Sequence, residues 1–218
     1  MARRGGRPNS RGPQGRRGKR QRQQKTVVQL LVEGEVTERQ YFEKLKDMRR
    51  WSQSISLTVL PFDKGKPLSQ MVRKAEDSLA EEGVDQVFLI LDKDELTDAQ
   101  LTEAARRANL KKNQGRLHVC ISAPKFEIWL CAHFQPMKLA CDDKKVTEVE
   151  EKLKILRDSS RGRARSKRKH MPLDFPYSEL ETAMKNSNVA ELGNWNNQGS
   201  TSIPKVIEIL DSLNSNNS

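Results

Sequence analysis

The sequence has no apolar run as long as a membrane span, few aromatic residues and only three cysteines. The first absence argues against a helical membrane protein. The cysteines lack any paired spacing such as Cys-x-x-Cys, which predicts reduced thiols and a cytoplasmic protein. The N-terminus is basic but no apolar segment follows it, so it does not predict a secretory signal. We therefore expect a soluble cytoplasmic protein with no membrane partner.

Acidic residues are missing from two segments that are rich in arginine and lysine. Residues 1–25 hold ten Arg/Lys and no Asp/Glu, and residues 161–170 hold six Arg/Lys and no acid. With these sixteen set aside, 24 basic residues remain against 29 acidic ones, so the net charge of +11 comes from the two segments. Such segments bury little apolar area. They predict a disordered basic tail at 1–25 and an exposed basic loop at 158–175.

The two basic segments also predict a nucleic-acid partner. Arginine-rich segments bind phosphates through counterion release, with little sequence information. The candidate contacts in the second segment are Arg161, Arg163, Arg165, Lys167, Arg168 and Lys169. The alternative is that both segments are solvated charge runs. Neither contains aromatic residues, so the segments themselves do not indicate base stacking, and they do not distinguish DNA from RNA.

Four short aliphatic runs alternate with segments of helical apolar spacing. This alternation predicts an α/β domain at residues 26–135, with a mainly parallel sheet flanked by helices. Helical spacing continues after Pro124, so residues 136–218 predict a helical C-terminal extension. The Thr-x-x-Gln patterns that start at Thr37 and at Thr97 predict capping boxes at two helix starts.

Acidic residues follow two of the aliphatic runs. The first of the four runs ends in Glu33, and the third ends in Asp92-Lys93-Asp94. The carboxyl ends of parallel strands form one edge of the sheet, where ligand sites lie. Carboxylates that meet there repel one another unless a cation joins them, and hard oxygen ligands suit Mg²⁺ or Mn²⁺. The alternative is that all three are ordinary loop and cap residues.

The spacing of these residues adds two expectations about geometry. Asp92 and Asp94 are two residues apart, so an extended backbone would direct both to the same side. Gly34 permits a sharp turn or a close approach of the backbone to a phosphate. A bound divalent ion could then orient a phosphodiester, activate water and stabilise the departing oxygen.

A helix is predicted from Lys125 to Phe134, directly after the fourth strand. Its apolar residues cover nearly all sides, which indicates a buried helix. Glu127 lies in its first turn and could reach the same sheet edge; the alternative is a capping or ion-pair role. His133 is predicted to be a core histidine, with a catalytic role as the alternative. Lys125 is predicted to be a solvated lysine, with a phosphate contact as the alternative.

The motifs resemble a known family. Glu-Gly after a first strand, followed by Asp-x-Asp after a later one, resembles the Toprim domain of topoisomerases, primases and OLD-type nucleases. The run from Glu33 to Glu38 with Tyr41-Phe42, and residues 122–134, resemble the RloB-like family of prokaryotic restriction and phage-defence loci. The resemblance spans about residues 26–135, and a weaker similarity lies at Gly199-Ser200-Thr201. Family members commonly carry Asn-Pro and a small residue where this chain has Ala123-Pro124-Lys125.

The resemblance implies a Toprim/Rossmann-like fold and a metal-dependent nuclease that cleaves DNA or RNA in anti-phage defence. Glu33 matches the Toprim glutamate, a general acid/base or metal ligand, while Asp92 and Asp94 match the metal-binding pair. Glu38 matches a second acid that is a candidate metal ligand; its alternative is a helix N-terminal acid stabilised by the helix dipole. Glu127 joins Glu33, Asp92 and Asp94 as a catalytic candidate.

The sequence is also compatible with two other functions. One is a non-catalytic nucleic-acid adaptor that works with an AAA-type ATPase, a partner that the resemblance alone implies. The other is a primase-like nucleotidyl transferase. The sequence has no Walker A pattern, so we do not expect this chain to hydrolyse ATP alone. The oligomeric state is left open.

Overall fold

The computed structural model describes residues 24–34, 36–62, 65–94, 96–137, 141–158, 169–196 and 199–216. The strands of this part of the chain are β1 Thr26–Val32, β2 Ile55–Pro61, β3 Gln86–Asp92, β4 Leu117–Ala123, β5 Arg157–Asp158, β6 Lys169–His170 and β7 Ser200–Thr201. Its α-helices are α1 Thr37–Met48, α2 Leu68–Ala80, α3 Asp98–Ala108, α4 Glu127–Ala132, α5 Asp143–Leu153, α6 Leu180–Asn186 and α7 Ile203–Asn216. Short 3-10 helices lie at Trp51–Gln53 and Tyr177–Glu179.

Five strands form one sheet in the order β2-β1-β3-β4-β7. The first four are parallel to one another, and β7 pairs antiparallel with β4 at the edge. The predicted α/β fold with a mainly parallel sheet flanked by helices is therefore confirmed. Strand β7 was not predicted, because two residues carry no periodic signal. Strands β5 and β6 form a separate antiparallel hairpin.

Side chains alternate between the two faces of the sheet, and each face is covered by helices. Leu30 of β1 packs in a cluster with residues of α1, α4, α5, α6 and α7. Leu31 packs on the other face with residues of α2 and α3. The late helices contribute Val146, Leu180 and Val206 to the first cluster. Residues after 135 thus share a core with the sheet.

The apolar spacing of the helices decides which sides they bury. The apolar residues of α2 that follow helical spacing are all buried: Leu68, Met71, Val72, Ala75 and Leu79. In α1, Tyr41, Phe42 and Leu45 are buried, but Met48 is 45% exposed. Met48 is more exposed because it is the last residue of the helix.

One predicted capping box is present and the other is not. At α3, the Gln100 N–H donates to Thr97 Oγ1 at 3.3 Å, and the Thr97 N–H donates to Gln100 Oε1 at 2.9 Å. At α1, the N-cap is Val36 and no side chain caps the helix. Thr37 instead donates to the Lys169 carbonyl, and Gln40 accepts from the Met171 N–H. The polar residues of α1 therefore hold β6 in place.

No helix in the described ranges has both the length and the apolar character needed to cross a bilayer. The three cysteines are buried free thiols.

Candidate acidic site at the sheet edge

Glu33 and Asp92 lie side by side at the carboxyl edge of the sheet. Their strands, β1 and β3, are neighbours, with Val32 in register with Ile90. Glu33 directly follows β1, and its Oε2 accepts from the Asp92 N–H at 3.3 Å. The structure therefore brings these two predicted site residues together, as the strand topology requires.

The Asp92 side chain also contacts the start of α4. Its Oδ1 accepts from the Phe126 N–H at 2.8 Å, and Phe126 precedes Glu127, the first residue of the helix. The predicted helix 125–134 is shorter, since α4 ends at Ala132. Asp92 thus links the ends of three neighbouring strands: its own, that of Glu33 and the one that leads into α4.

Asp94 lies in a turn and not on an extended strand. Strand β3 ends at Asp92, and the N–H groups of Lys93 and Asp94 both donate to the Pro124 carbonyl, at 2.9 and 3.0 Å. The extended backbone expected from Asp92 to Asp94 is not present, because the chain turns after Asp92. The Asp94 side chain is exposed, yet its charge still raises the pKa of Asp92.

Glu38 is the buried acid of the site. It lies in the first turn of α1 and is 7% exposed. A Cβ added to Gly34 would lie 1.6 Å from Glu38 Oε2. Gly34 is not among the residues with a left-handed φ. Glycine therefore leaves the space that the Glu38 carboxylate occupies, and a larger residue here would have to displace that carboxylate.

These acids form one electrostatic group. Burial holds the pKa of Asp92 well above its usual range, and the negative charges of Glu38, Glu127, Glu33 and Asp94 add to this in that order. Burial raises the pKa of Glu38 to about 7, against the opposing effect of its own N–H and that of Gly34. We call Glu33, Glu38, Asp92, Asp94 and Glu127 the acidic cluster.

Two lysines lie close enough to Glu127 to act on its charge. Burial raises its pKa, while the charges of Lys125 and Lys169 lower it. Lys125 is not solvated as predicted: its side chain is 16% exposed and pairs with Asp143 at 2.6 Å. Lys169 pairs with Glu150 at 2.5 Å.

Glu150 is a residue that the sequence analysis missed. It is 4% exposed and lies on α5 near the buried residues Val146 and Val149. An acid at a core position of an amphipathic helix is a usable signal, because it predicts a cationic partner. That partner, Lys169, was predicted to contact nucleic acid. The other candidate contacts, Arg161, Arg163, Arg165, Lys167 and Arg168, lie outside the described residues, as does the tail up to residue 23.

His133 is a core histidine, as predicted, with 3% exposure. Its Nδ1 lies 3.1 Å from the Pro176 carbonyl, so that nitrogen carries the proton and donates. Its Nε2 therefore accepts from the Tyr41 hydroxyl at 3.1 Å. Burial lowers the pKa of His133 to about 4, which keeps the ring neutral.

The donor chemistry of the acidic cluster suits a hard divalent cation, since all five side chains offer carboxylate oxygens. Their geometry does not form a ready ligand set: no three His, Cys, Asp or Glu side chains within the described ranges are grouped to hold one metal ion. Asp92 and Glu38 both use their carboxylates to accept backbone hydrogen bonds. A cation would therefore bind here only with movement of these side chains.

The chain matches the family model described as RloB-like protein over residues 28–210. It belongs to the RloB-like family. The match includes the whole acidic cluster and extends through most of α7, well beyond the residues that carry the motif resemblance. Among curated proteins and solved structures, no significant match was found.

Proposed function

We propose that this RloB-like protein is a Mg²⁺- or Mn²⁺-dependent nuclease of prokaryotic anti-phage defence, with a Toprim-like site that cleaves DNA or RNA phosphodiesters. The observation that carries the proposal is the position of Asp92. It lies between Glu33 and the start of α4, and four other carboxylates raise its pKa. Such an accumulation of negative charge is costly to the fold unless a cation binds it, and raised pKa values concentrate at functional sites.

Glu33, Asp92 and Asp94 would hold the ion, with Glu38 as a further ligand. When bound, the ion supplies water activation and stabilisation of the departing oxygen. Glu127 would be a candidate for proton transfer at the scissile phosphate, and proton transfer is the alternative role for Glu33. The basic segments would hold the nucleic acid through its phosphates, and an AAA-type ATPase is the proposed partner.

The test is a titration of Mn²⁺ and Mg²⁺ against the purified chain with duplex DNA, single-stranded DNA, tRNA and other RNA. We expect metal-dependent cleavage of at least one substrate. Asp92→Asn and Asp94→Asn should each reduce it by at least about a hundredfold, since even supporting residues of metal sites cost up to that much. The matched control is Asp98→Asn, because Asp98 is a nearby exposed acid that pairs with Lys93 at 3.0 Å. Undiminished cleavage by the Asp92 and Asp94 variants would refute the assignment.

A second candidate is a non-catalytic adaptor that binds nucleic acid for a partner ATPase. The absence of a grouped metal-ligand set among the described residues favours it. An adaptor would bind the same substrates without cutting them, and divalent ions would not alter them. Intact substrate after incubation with both metals, together with measurable binding, would support the adaptor over the nuclease.

A further inference from the structure

A groove of about 500 Å³ opens beside the β5–β6 hairpin. Phe134 and Phe175 form its aromatic side, with ring centroids 5.7 Å apart in an edge-to-face arrangement. Phe175 is buried, whereas Phe134 is 41% exposed. The volume falls within the range of small-ligand pockets, and the exposed ring of Phe134 leaves aromatic surface for a planar ligand.

The groove is lined by both charged and apolar residues. Its charged residues are Lys154, Arg157 and Asp174, and all three are exposed. Arg157 pairs with Asp174 at 2.9 Å, but both side chains are more than 60% exposed, so the pair is weak and a phosphate can replace the carboxylate. The remaining lining residues are Leu153, Ile155, Leu156 and Pro172.

The charge of the surrounding sequence favours a polyanion as the ligand of this groove. Residues 154–170 carry eight Arg/Lys and one Asp. The hairpin strands are two residues long, about 7 Å, so the groove at Arg157 is close to the point where the basic run leaves β5. The basic residues favour a negatively charged ligand, and the exposed ring of Phe134 favours a flat ring system. A nucleotide of a nucleic-acid strand has both properties.

We infer that this groove binds an unpaired nucleobase, stacked on Phe134, while Lys154 and Arg157 contact the neighbouring phosphates. The inference rests on the proposed function, since it names single-stranded or locally unpaired nucleic acid as the substrate class. Bases within a duplex are already stacked and cannot enter. Residues 1–25 and 161–170 contain no Phe, Tyr or Trp, but the fold supplies Phe134 and Phe175 from outside those two ranges.

The test compares two short labelled oligonucleotides of equal length, one with bases and one abasic, by fluorescence anisotropy. The full chain carries Asp92→Asn so that the probe stays intact. The base-containing strand should bind more tightly, and Phe134→Ala should weaken it by about fivefold to a hundredfold, the cost of one lost stacking contact. Phe134→Ala should leave the abasic strand unaffected, which also shows that the variant is folded. Phe134→Trp should retain the base preference, and Met48→Ala, a similarly exposed apolar residue outside the groove, should leave both affinities unchanged.

Equal binding of the two strands, or a base preference that survives Phe134→Ala, would overturn the inference. It would also be overturned if Phe134→Ala released a co-purified protein without any effect on the oligonucleotides, since the groove would then bind a protein. Failure of the nuclease proposal is a separate result. It would appear as intact substrate with the unmutated acidic cluster, whereas the base preference would still be measurable.

Discussion

The Glu38 carboxylate occupies the space that a side chain on Gly34 would need. A Cβ on Gly34 would lie 1.6 Å from Oε2 and 2.2 Å from the carboxyl carbon of Glu38. The two residues come from different elements: Gly34 follows β1, and Glu38 lies in the first turn of α1. The glycine therefore allows the helix to place a buried acid directly against the strand end that carries Glu33.

Gly34→Ala should displace the Glu38 carboxylate and lower the free energy of unfolding by about 1–3 kcal/mol, the usual cost of overpacking. Glu38→Ala removes the clashing group, so the double variant should lose less stability than the sum of the two single variants. Urea unfolding of all four proteins measures this coupling. As a control, Gly83→Ala is strained by its left-handed backbone but meets no atom within 4 Å, so it should show no coupling to Glu38→Ala. Additive losses for Gly34→Ala and Glu38→Ala would contradict the prediction.

Glu38 should make the metal-free protein less stable as the pH rises. Burial raises its pKa from 4.5 to about 7, so between these values the unfolded chain is ionised and the folded chain is not. The contribution of protonated Glu38 to the free energy of unfolding is fully present below pH 4.5 and is lost as the pH rises through 7. The change is about 3 kcal/mol, at 1.36 kcal/mol per pKa unit. Glu38→Gln should therefore be more stable than the unmutated chain at pH 8 and similar to it at pH 4. Denaturant unfolding in EDTA across this range measures the difference; parallel pH profiles would rule the effect out.

His133 should have the opposite pH dependence. Its pKa falls from 6.5 to about 4 in the folded chain, so the unfolded chain binds the extra proton between these values. The contribution of neutral His133 to the free energy of unfolding is fully present above pH 6.5. It is lost as the pH falls towards 4, and the change is again about 3 kcal/mol. In a Glu38→Gln background, His133→Gln should flatten the decline of unfolding free energy on acidification. A decline of the same slope in both proteins would show that other groups cause it.

Strand positions and the place of the acidic site were predictable because buried parallel strands give continuous aliphatic runs. The acids that follow such runs must share an edge, and Glu33 and Asp92 do so. A local capping motif was also predictable at Thr97, where both partners lie within four residues. Each of these patterns involves residues that are close together in the sequence, so it can be recognised without knowledge of tertiary contacts.

The features that were missed depend on partners far away in the chain. Gln40 of α1 contacts His170, 130 positions later, and so does not cap its own helix. The groove likewise needs Phe134 and Phe175, which come together only through folding. Local patterns fail where a distant residue offers a better hydrogen bond or contact than a neighbour does.

Lys169 should be a structural residue as well as part of the basic run. It pairs with Glu150, which is 4% exposed, and its removal would leave that buried acid without its cation. Lys169→Ala should lower the free energy of unfolding by about 1–3 kcal/mol. In the Glu150→Gln background the loss from Lys169→Ala should shrink. Thermal melts of these variants test the pairing, and an undiminished loss in that background would refute it.

The arginines of the basic run should bind phosphates, so their contribution to the binding affinity should depend on the salt concentration. Each lost phosphate contact lowers the slope of log affinity against log salt by about 0.7 for a single strand. Replacing Arg161, Arg163 and Arg165 together by Ala should thus reduce the slope by about 2 if each arginine contacts one phosphate. Because such contacts carry no sequence information, binding should weaken equally for the base-containing and abasic strands. Phe134→Ala should do the reverse, with an unchanged slope and a lost base preference. A salt slope that the triple variant leaves unchanged would assign these arginines to the solvated surface.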